Sequence, residues 1–381
     1  MIDIVLERTA LESAMKKGGS CAGTKSIMPI LDNVRLKLVD ERHISITSNN
    51  MALEVTAVAE VVDGQYDDIT QEPFDICVDA RRFGDVISQI GDEHIHLVVG
   101  DSSVEIRWSN GRVSLQYLPS VEWPTMKPRS DAHGTYVVPA QVMAKILNTA
   151  KDFCGNDELR PTMMGIYLCA LPNGIEWCAT DAHILCSGLE TYETGVVGEN
   201  SITTILPKTA VRTLLQMCVG DTQLKVTKYE NCLCFETQND RCLVNTLEGK
   251  YPNFKSIIPA EGSVPYQTKV NKKALERAVN RMMAVTNFVT RSVVIEFQDN
   301  KIVVHGDDID YGMSGAETIE VETNSEPLSV GFNGVFLKTC LGACGGENIV
   351  INTKAGNRAV TFVDELNPTT TVLAMPIMLN Q

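Results

Sequence analysis

Long apolar runs are missing. No stretch of the 381 residues approaches the ~18 consecutive apolar positions that a membrane-crossing helix needs, so no membrane partner is expected. The first residues, MIDIVLERTALE, carry charges where a secretory signal would be apolar and offer no small-residue cleavage site, so the chain is expected to be cytoplasmic. Aromatics are few, at 6%. With no helix-turn-helix spacing, zinc finger or RNP-type aromatic motif either, nothing points to base reading or base stacking. Neither G-x-S-x-G nor the phosphate loop GxxxxGK[ST] occurs. The 12 cysteines include no C-x-x-C pair and several lie in apolar runs, such as Cys169 in IYLCAL and Cys218 in LLQMC. They read as small buried hydrophobes in the reduced state. Positive charge is also short: the net charge is −15 and the pI near 4.9, which as a total argues against phosphate binding.

What is there is a threefold repeat. The length allows two or three domains, and 44% hydrophobic with 21% charged residues is the composition of a chain with a real core. Strand-then-helix patterns begin at Met1, Gly134 and Tyr266. A second trio begins at Pro29, Pro161 and Thr290, spaced by 132 and 129 residues, and each copy reads strand, turn, strand, turn, strand. The later turns of that trio are SNN, TDAH and GDDID. A third trio, strand, helix, hairpin, begins at Phe74, Thr203 and Leu328, and Pro-bearing linkers end the first two copies. The expected fold is α+β, with three repeated domains at 1–128, 129–259 and 260–381. Each has two helices packed on about eight antiparallel strands of period-two alternation. Six strand–helix units suggest a symmetric closed array.

The deficit of positive charge is uneven. Expected helices at Ala10–Lys17, Arg81–Ile90, Ala140–Asp152, Lys208–Cys218, Lys272–Met283 and Asn333–Cys344 are each net positive and together carry +9, which leaves −24 for the rest. In the fifth, Lys273, Arg277 and Arg281 recur at i, i+4 and i+8, opposite Leu275, Ala278, Val279, Met282 and Met283. In the third, Lys145 faces away from Val142, Met143, Ile146, Leu147 and Ala150. Any single basic helix face is explained by solvation alone. Six of one sign in an acidic chain point to a surface that meets a polyanion through backbone phosphates, without sequence preference.

Five stretches carry a resemblance: MPILDNVRL at Met28–Leu36, ATDAHIL at Ala179–Leu185, LEGKYPNFKSIIP at Leu247–Pro259, GFN at Gly331–Asn333 and MPI at Met375–Ile377. In this order, along the whole chain, they resemble the bacterial sliding clamps, the β subunits of DNA polymerase III. The resemblance implies the DNA clamp fold in a head-to-tail homodimeric ring around duplex DNA. The ring has no catalytic site and no cofactor, and it tethers the replicative polymerase catalytic subunit. The clamp loader and other proteins with a clamp-binding motif would be further partners. The DNA-lining set would be Lys16, Lys17, Lys25, Arg81, Arg82, Lys145, Lys151, Lys208, Arg212, Lys272, Lys273, Arg277, Arg281 and Lys338. At the dimer interface, Val113 and Leu115 would meet Ala284 and Val285. A client-peptide pocket would be built from Met163, Thr180, Ala182, His183, Ile184, Leu185, Pro252, Ile257, Phe336, Leu373, Met375, Pro376 and Ile377. Three positions depart from the family pattern: Ala182 for Gly, and Ile184 and Ser256 for Arg. A more apolar pocket is expected.

The stretch EWCATDAHILCSG, Glu176–Gly188, offers rival readings. Cys178, His183 and Cys186 could be metal ligands, but around a strand turn their side chains would splay, and no metal is expected. Asp181 and His183 could be a catalytic pair, but Asn–Asn and Asp–Asp occupy the same place in the sister repeats, which favours a turn. An acidic protein–protein scaffold with no topological hold on DNA is the alternative function.

Overall fold

Period-two burial builds the strands. In Asn33–Asp40 it is Val34, Leu36 and Leu38 that are buried, which puts one face of the strand into a core. The computed structural model describes residues 2–66, 74–196, 201–260 and 262–379. Among these are 25 strands and six α-helices: α1 Arg8–Gly18, α2 Ala80–Gln89, α3 Ala140–Ala150, α4 Val211–Met217, α5 Lys272–Met283 and α6 Gly334–Ala343. All six lie on the segments expected to be helical, except that a 3-10 turn, Lys208–Ala210, takes the expected start of α4. Asx side chains cap three of them. Asp79 accepts the Arg82 N–H at 2.8 Å, Asn271 that of Ala274 at 3.0 Å and Asn333 that of Val335 at 2.9 Å. Eight strands lie within 1–128, eight within 129–259 and nine within 260–381.

The chain divides into two units. The first comprises Met1–Ala144 and Thr209–Thr246 and holds one 12-stranded antiparallel sheet. Ile2–Glu7 pairs with both His94–Val99 and Leu53–Tyr66, so the first eight strands close into a circuit. α1 and α2 pack together, and Leu11, Ala14, Phe83 and Ile87 join Leu36, Ile46, Ile95 and Leu97 in one core. Each of the Leu, Ile and Phe side chains contributes about 1.5–3 kcal/mol on burial. From Leu53–Tyr66 the sheet continues through Asp240–Asn245, Cys232–Glu236, Gln223–Lys228 and Gly134–Pro139.

The second unit comprises Lys145–Lys208 and Leu247–Gln381. Its nine-stranded sheet places Gly165–Leu171, Gly174–Thr180 and Ile184–Thr191 beside Thr370–Ala374, Val360–Asp364 and Asn348–Thr353. A four-stranded sheet runs Met313–Glu320, Lys301–Asp308, Ser292–Gln298, Leu328–Asn333. α5 buries Leu275, Ala278, Val279 and Met282, and α6 buries Leu337, Cys340 and Leu341. The amphipathic split of α5 is the one its sequence predicts. All 12 cysteines are unpaired and all but Cys218 are buried.

Candidate functional site

The TDAH stretch is the turn between Gly174–Thr180 and Ile184–Thr191. Asp181 Oδ1 accepts the N–H groups of His183 and Ile184, both at 2.8 Å, and Thr180 Oγ1 donates to the Ile184 carbonyl at 2.7 Å. Ala182 sits at φ 77°, a left-handed conformation that suits glycine. The Asp181 carboxylate is therefore spent on backbone. It approaches His183 Nδ1 no closer than 3.9 Å, while the imidazole stacks on Phe336 with centroids 5.2 Å apart. That is not the hydrogen-bonded geometry of a base and its orienting acid. Burial pushes the Cys178 and Cys186 thiols well up. Among the described residues no group of three His, Cys, Asp or Glu side chains could hold a metal ion.

Around this turn the second unit collects most of the predicted pocket. Ile184 pairs with Ala374 and Leu185 with Leu373, and the His183 carbonyl accepts the Met375 N–H at 2.8 Å. Gly331 accepts the Ile377 N–H at 2.8 Å, which ties the MPI segment to the GFN strand. Thr180, Ile184, Leu185 and Leu373 are buried beneath the turn. Ala182, His183, Ile257 and Met375 are exposed, and Met163, Pro252, Phe336, Pro376 and Ile377 are half-buried. Leu185 and Leu373 share a cluster with Cys178, Ile205, Tyr251 and Phe254, so the KYPNF stretch packs its aromatic rings into the same core. Ile257 and Met375 also line a cleft of about 530 Å³ together with Ser256, Ala359, Lys354 and Arg358. The last two escaped the sequence reading, because the turn that carries them lies outside every recognised motif.

The basic positions differ in how free they are. Lys17 bonds Asp240 at 2.8 Å, Lys145 bonds Glu190 at 2.8 Å, Lys151 bonds Asp152 at 2.6 Å, and Arg281 forks onto Glu317. Arg81 lies 3.7 Å from Asp85 and Lys272 lies 3.5 Å from Glu276. Lys208 reaches the Cys154 carbonyl and Asn156, both at 3.4 Å. Among the described residues Lys16, Lys25, Arg82, Arg212, Lys273, Arg277 and Lys338 have no carboxylate partner, and all seven are exposed. Lys25 stands apart from the helices, in a loop at φ 67°.

Gly111–Pro119 and Met313–Glu320 are among the strands that present an open edge. Residues 111–116 pair only with Ser103–Trp108, and Met313–Glu320 pairs only with Lys301–Asp308 among the described residues. Val113 and Leu115 lie half-buried on the first. Ala284 and Val285 follow α5, which packs against the second.

Comparison with known proteins agrees with this architecture. The pattern of the DNA polymerase III beta subunit N-terminal domain fits residues 2–127, and that of its C-terminal domain fits residues 255–378. The beta sliding clamp of Synechococcus elongatus is 23% identical, with 99% of each chain covered. That of Vibrio cholerae is 22% identical over 98% of this chain and 99% of its own. In structure, the chain is similar to the Pseudomonas aeruginosa sliding clamp solved with griselimycin, at TM-score 0.91 and 18% identity over 99% of this chain and 100% of that one. The Thermotoga maritima polymerase III beta subunit gives TM-score 0.89 at 17% identity over 100% of both. With two family domains that together span well over half its length, the chain belongs to the DNA polymerase III β subunit family, the bacterial sliding clamps.

Proposed function

We propose that two copies of this chain close head to tail into a ring around duplex DNA, each built of domains 1–128, 129–259 and 260–381. A DNA sliding clamp confers processivity on a polymerase without chemistry of its own. Each phosphate contact is screened within about 10 Å at moderate salt and is short-lived. A closed ring stays on by topology, so weak, sequence-blind contacts favour sliding. Tethering then raises the local concentration of the replicative polymerase catalytic subunit at its template. The clamp loader and other proteins with clamp-binding motifs would share the ring.

The observation that carries the reading is the repeat's own pairing rule. The last strand of the second repeat, Asp240–Asn245, pairs with Leu53–Tyr66 of the first. The last strand of the third, Thr370–Ala374, pairs with Ile184–Thr191 of the second. By the same rule the last strand of the first repeat, Gly111–Pro119, needs the equivalent strand of a third repeat, Met313–Glu320, and among the described residues of one chain the two do not pair. Pairing these edges between two copies satisfies both and removes the exposed edges. It brings Val113 and Leu115 toward Ala284 and Val285. The unpaired cations of the helices supply the inner, DNA-facing surface, and the acidic remainder of the chain repels DNA elsewhere.

A solution mass near twice 41.8 kDa is expected. After loading, the protein should be retained on circular duplex DNA and lost from linear duplex. Equal escape from nicked circles and linear fragments would overturn the ring and leave the acidic scaffold as the reading.

A further inference from the structure

The cleft lined by Ile257 and Met375 holds positive charge on a turn outside the motifs that carry the resemblance. The resemblance puts arginines where this chain has Ile184, which is buried, and Ser256. Lys354 and Arg358 instead stand on the turn between Asn348–Thr353 and Val360–Asp364, with the Arg358 N–H donating to the Ala355 carbonyl at 3.0 Å. Both are exposed, and both line the cleft that contains Ile257 and Met375. Two other cations of the same unit have partners: Lys255 pairs with Glu176 at 2.6 Å and Lys269 with Glu365 at 2.9 Å. Among the described residues Lys354 and Arg358 have no such partner, in a chain of net charge −15. Two cations without a carboxylate partner among the described residues, in a cleft that also presents Ile257, Val264 and Met375, are complementary to a carboxylate held next to apolar side chains.

We propose that Lys354 and Arg358 make this clamp select client segments that carry an acidic side chain beside their apolar anchors. The inference rests on the client-pocket reading and deepens it. The occupant is a peptide side chain and not a chain end, because the cleft is continuous with the pocket through Ile257 and Met375. A segment anchored there runs past the cations. Arg358 presents a planar fork to the carboxylate, and Lys354 adds a point charge.

The test uses the full-length protein and two synthetic peptides with the same apolar anchors and amidated C-termini. One carries Glu beside the anchors and the other Gln. At low salt the Glu peptide should bind about five- to tenfold tighter, the sum of two exposed ion pairs, and the preference should shrink as salt rises. Lys354→Glu with Arg358→Glu should abolish or reverse that preference and let a Lys-bearing peptide bind tighter than the Glu peptide. Equal affinities of wild type for the Glu and Gln peptides overturn the charge selection and leave the pocket standing. Failure of wild type to bind either peptide overturns pocket and selection together. Because the wild-type comparison needs no substitution, a variant that misfolds does not blunt the test.

Discussion

The same turn occurs in both units, with opposite surroundings. In the first unit Asn50 Oδ1 accepts the N–H groups of Ala52 and Leu53, and Met51 sits at φ 69°. In the second, Asp181 does this for His183 and Ile184, with Ala182 at φ 77°. The strand that follows is joined in each case by the last strand of the next repeat, and the registers superimpose: Glu54 faces Leu243 as Leu185 faces Leu373. Asn245 donates to the Ala52 carbonyl as Met375 donates to that of His183. So where the second unit has His183, Leu185 and Met375, the first has Ala52, Glu54 and Asn245. Glu54 is buried, and its carboxylate holds the Met126 N–H and the Asn49 amide, both at 3.1 Å. Asn49 in turn bonds the Pro124 carbonyl at 2.8 Å. The first unit covers this place with its own 124–126 segment, whereas in the second His183 and Met375 are exposed. Backbone is what the repeats share, and on the proposed reading three side chains set which copy receives a partner.

The largest expected effect separates the two copies directly. Leu185→Ala with Met375→Ala should weaken a client peptide by about a hundredfold or more, because buried anchors dominate such sites. The Leu185 cavity should also cost about 2–5 kcal/mol of stability, with the dimer intact. Leu243→Ala, at the position matching Leu373 and 1% exposed, should cost a similar amount and leave peptide affinity unchanged. Peptide titration and denaturant unfolding of both variants measure this. Loss of peptide binding in Leu243→Ala would mean that the first unit also receives clients.

The next effect lies at Glu54. Removing its carboxylate in Glu54→Ala strands the Met126 N–H and leaves the Asn49 amide to Pro124 alone, at about 1–3 kcal/mol. Burial, the largest influence, raises the Glu54 carboxyl above its ordinary value, against the pull of Met126 and Asn49. A raised folded value means that its contribution is complete below the ordinary carboxyl range and is lost as pH rises through the folded value. Glu54→Gln keeps an acceptor without that loss. Its stability relative to wild type should therefore improve between about pH 4 and pH 8 in urea unfolding. A relative decline over that range would show that the charged carboxylate is the form the linker needs.

Much of this was legible in the sequence. The six helices, the strand-rich repeats and the basic stripe of α5 follow from periodicity, which is local. TDAH was legible as a turn because its sister copies carry Asx residues there. Lys354 and Arg358 were not, since TKAGNR reads as an ordinary polar turn until Ile257 and Met375 fold against it. Which helical cations are free was hidden too. Lys17 loses its independence to Asp240, 223 residues away, a pairing no spacing rule predicts. The counterpart relation of Glu54 to Leu185 appears only when strand register is known.

The smallest effect tests whether the shared turn is strained in both copies. A left-handed conformation costs an ordinary residue about 1–2 kcal/mol, and glycine returns about 0.4–1 kcal/mol of that through the greater freedom of its unfolded chain. Ala182→Gly, the residue usual in the family, should stabilise by about 0.5–1 kcal/mol, or roughly 1–4 °C in Tm. Met51→Gly should do the same in the first unit, because its backbone angle is nearly equal and its side chain is exposed. The two should part on binding. On the proposed reading the exposed Ala182 belongs to the client pocket, so trimming its methyl should shift peptide affinity slightly, whereas Met51→Gly should leave it untouched. A fall in Tm for Ala182→Gly with a rise for Met51→Gly would show that the Ala182 methyl makes contacts that outweigh its strain, and would make the open copy's turn a packed wall of the pocket.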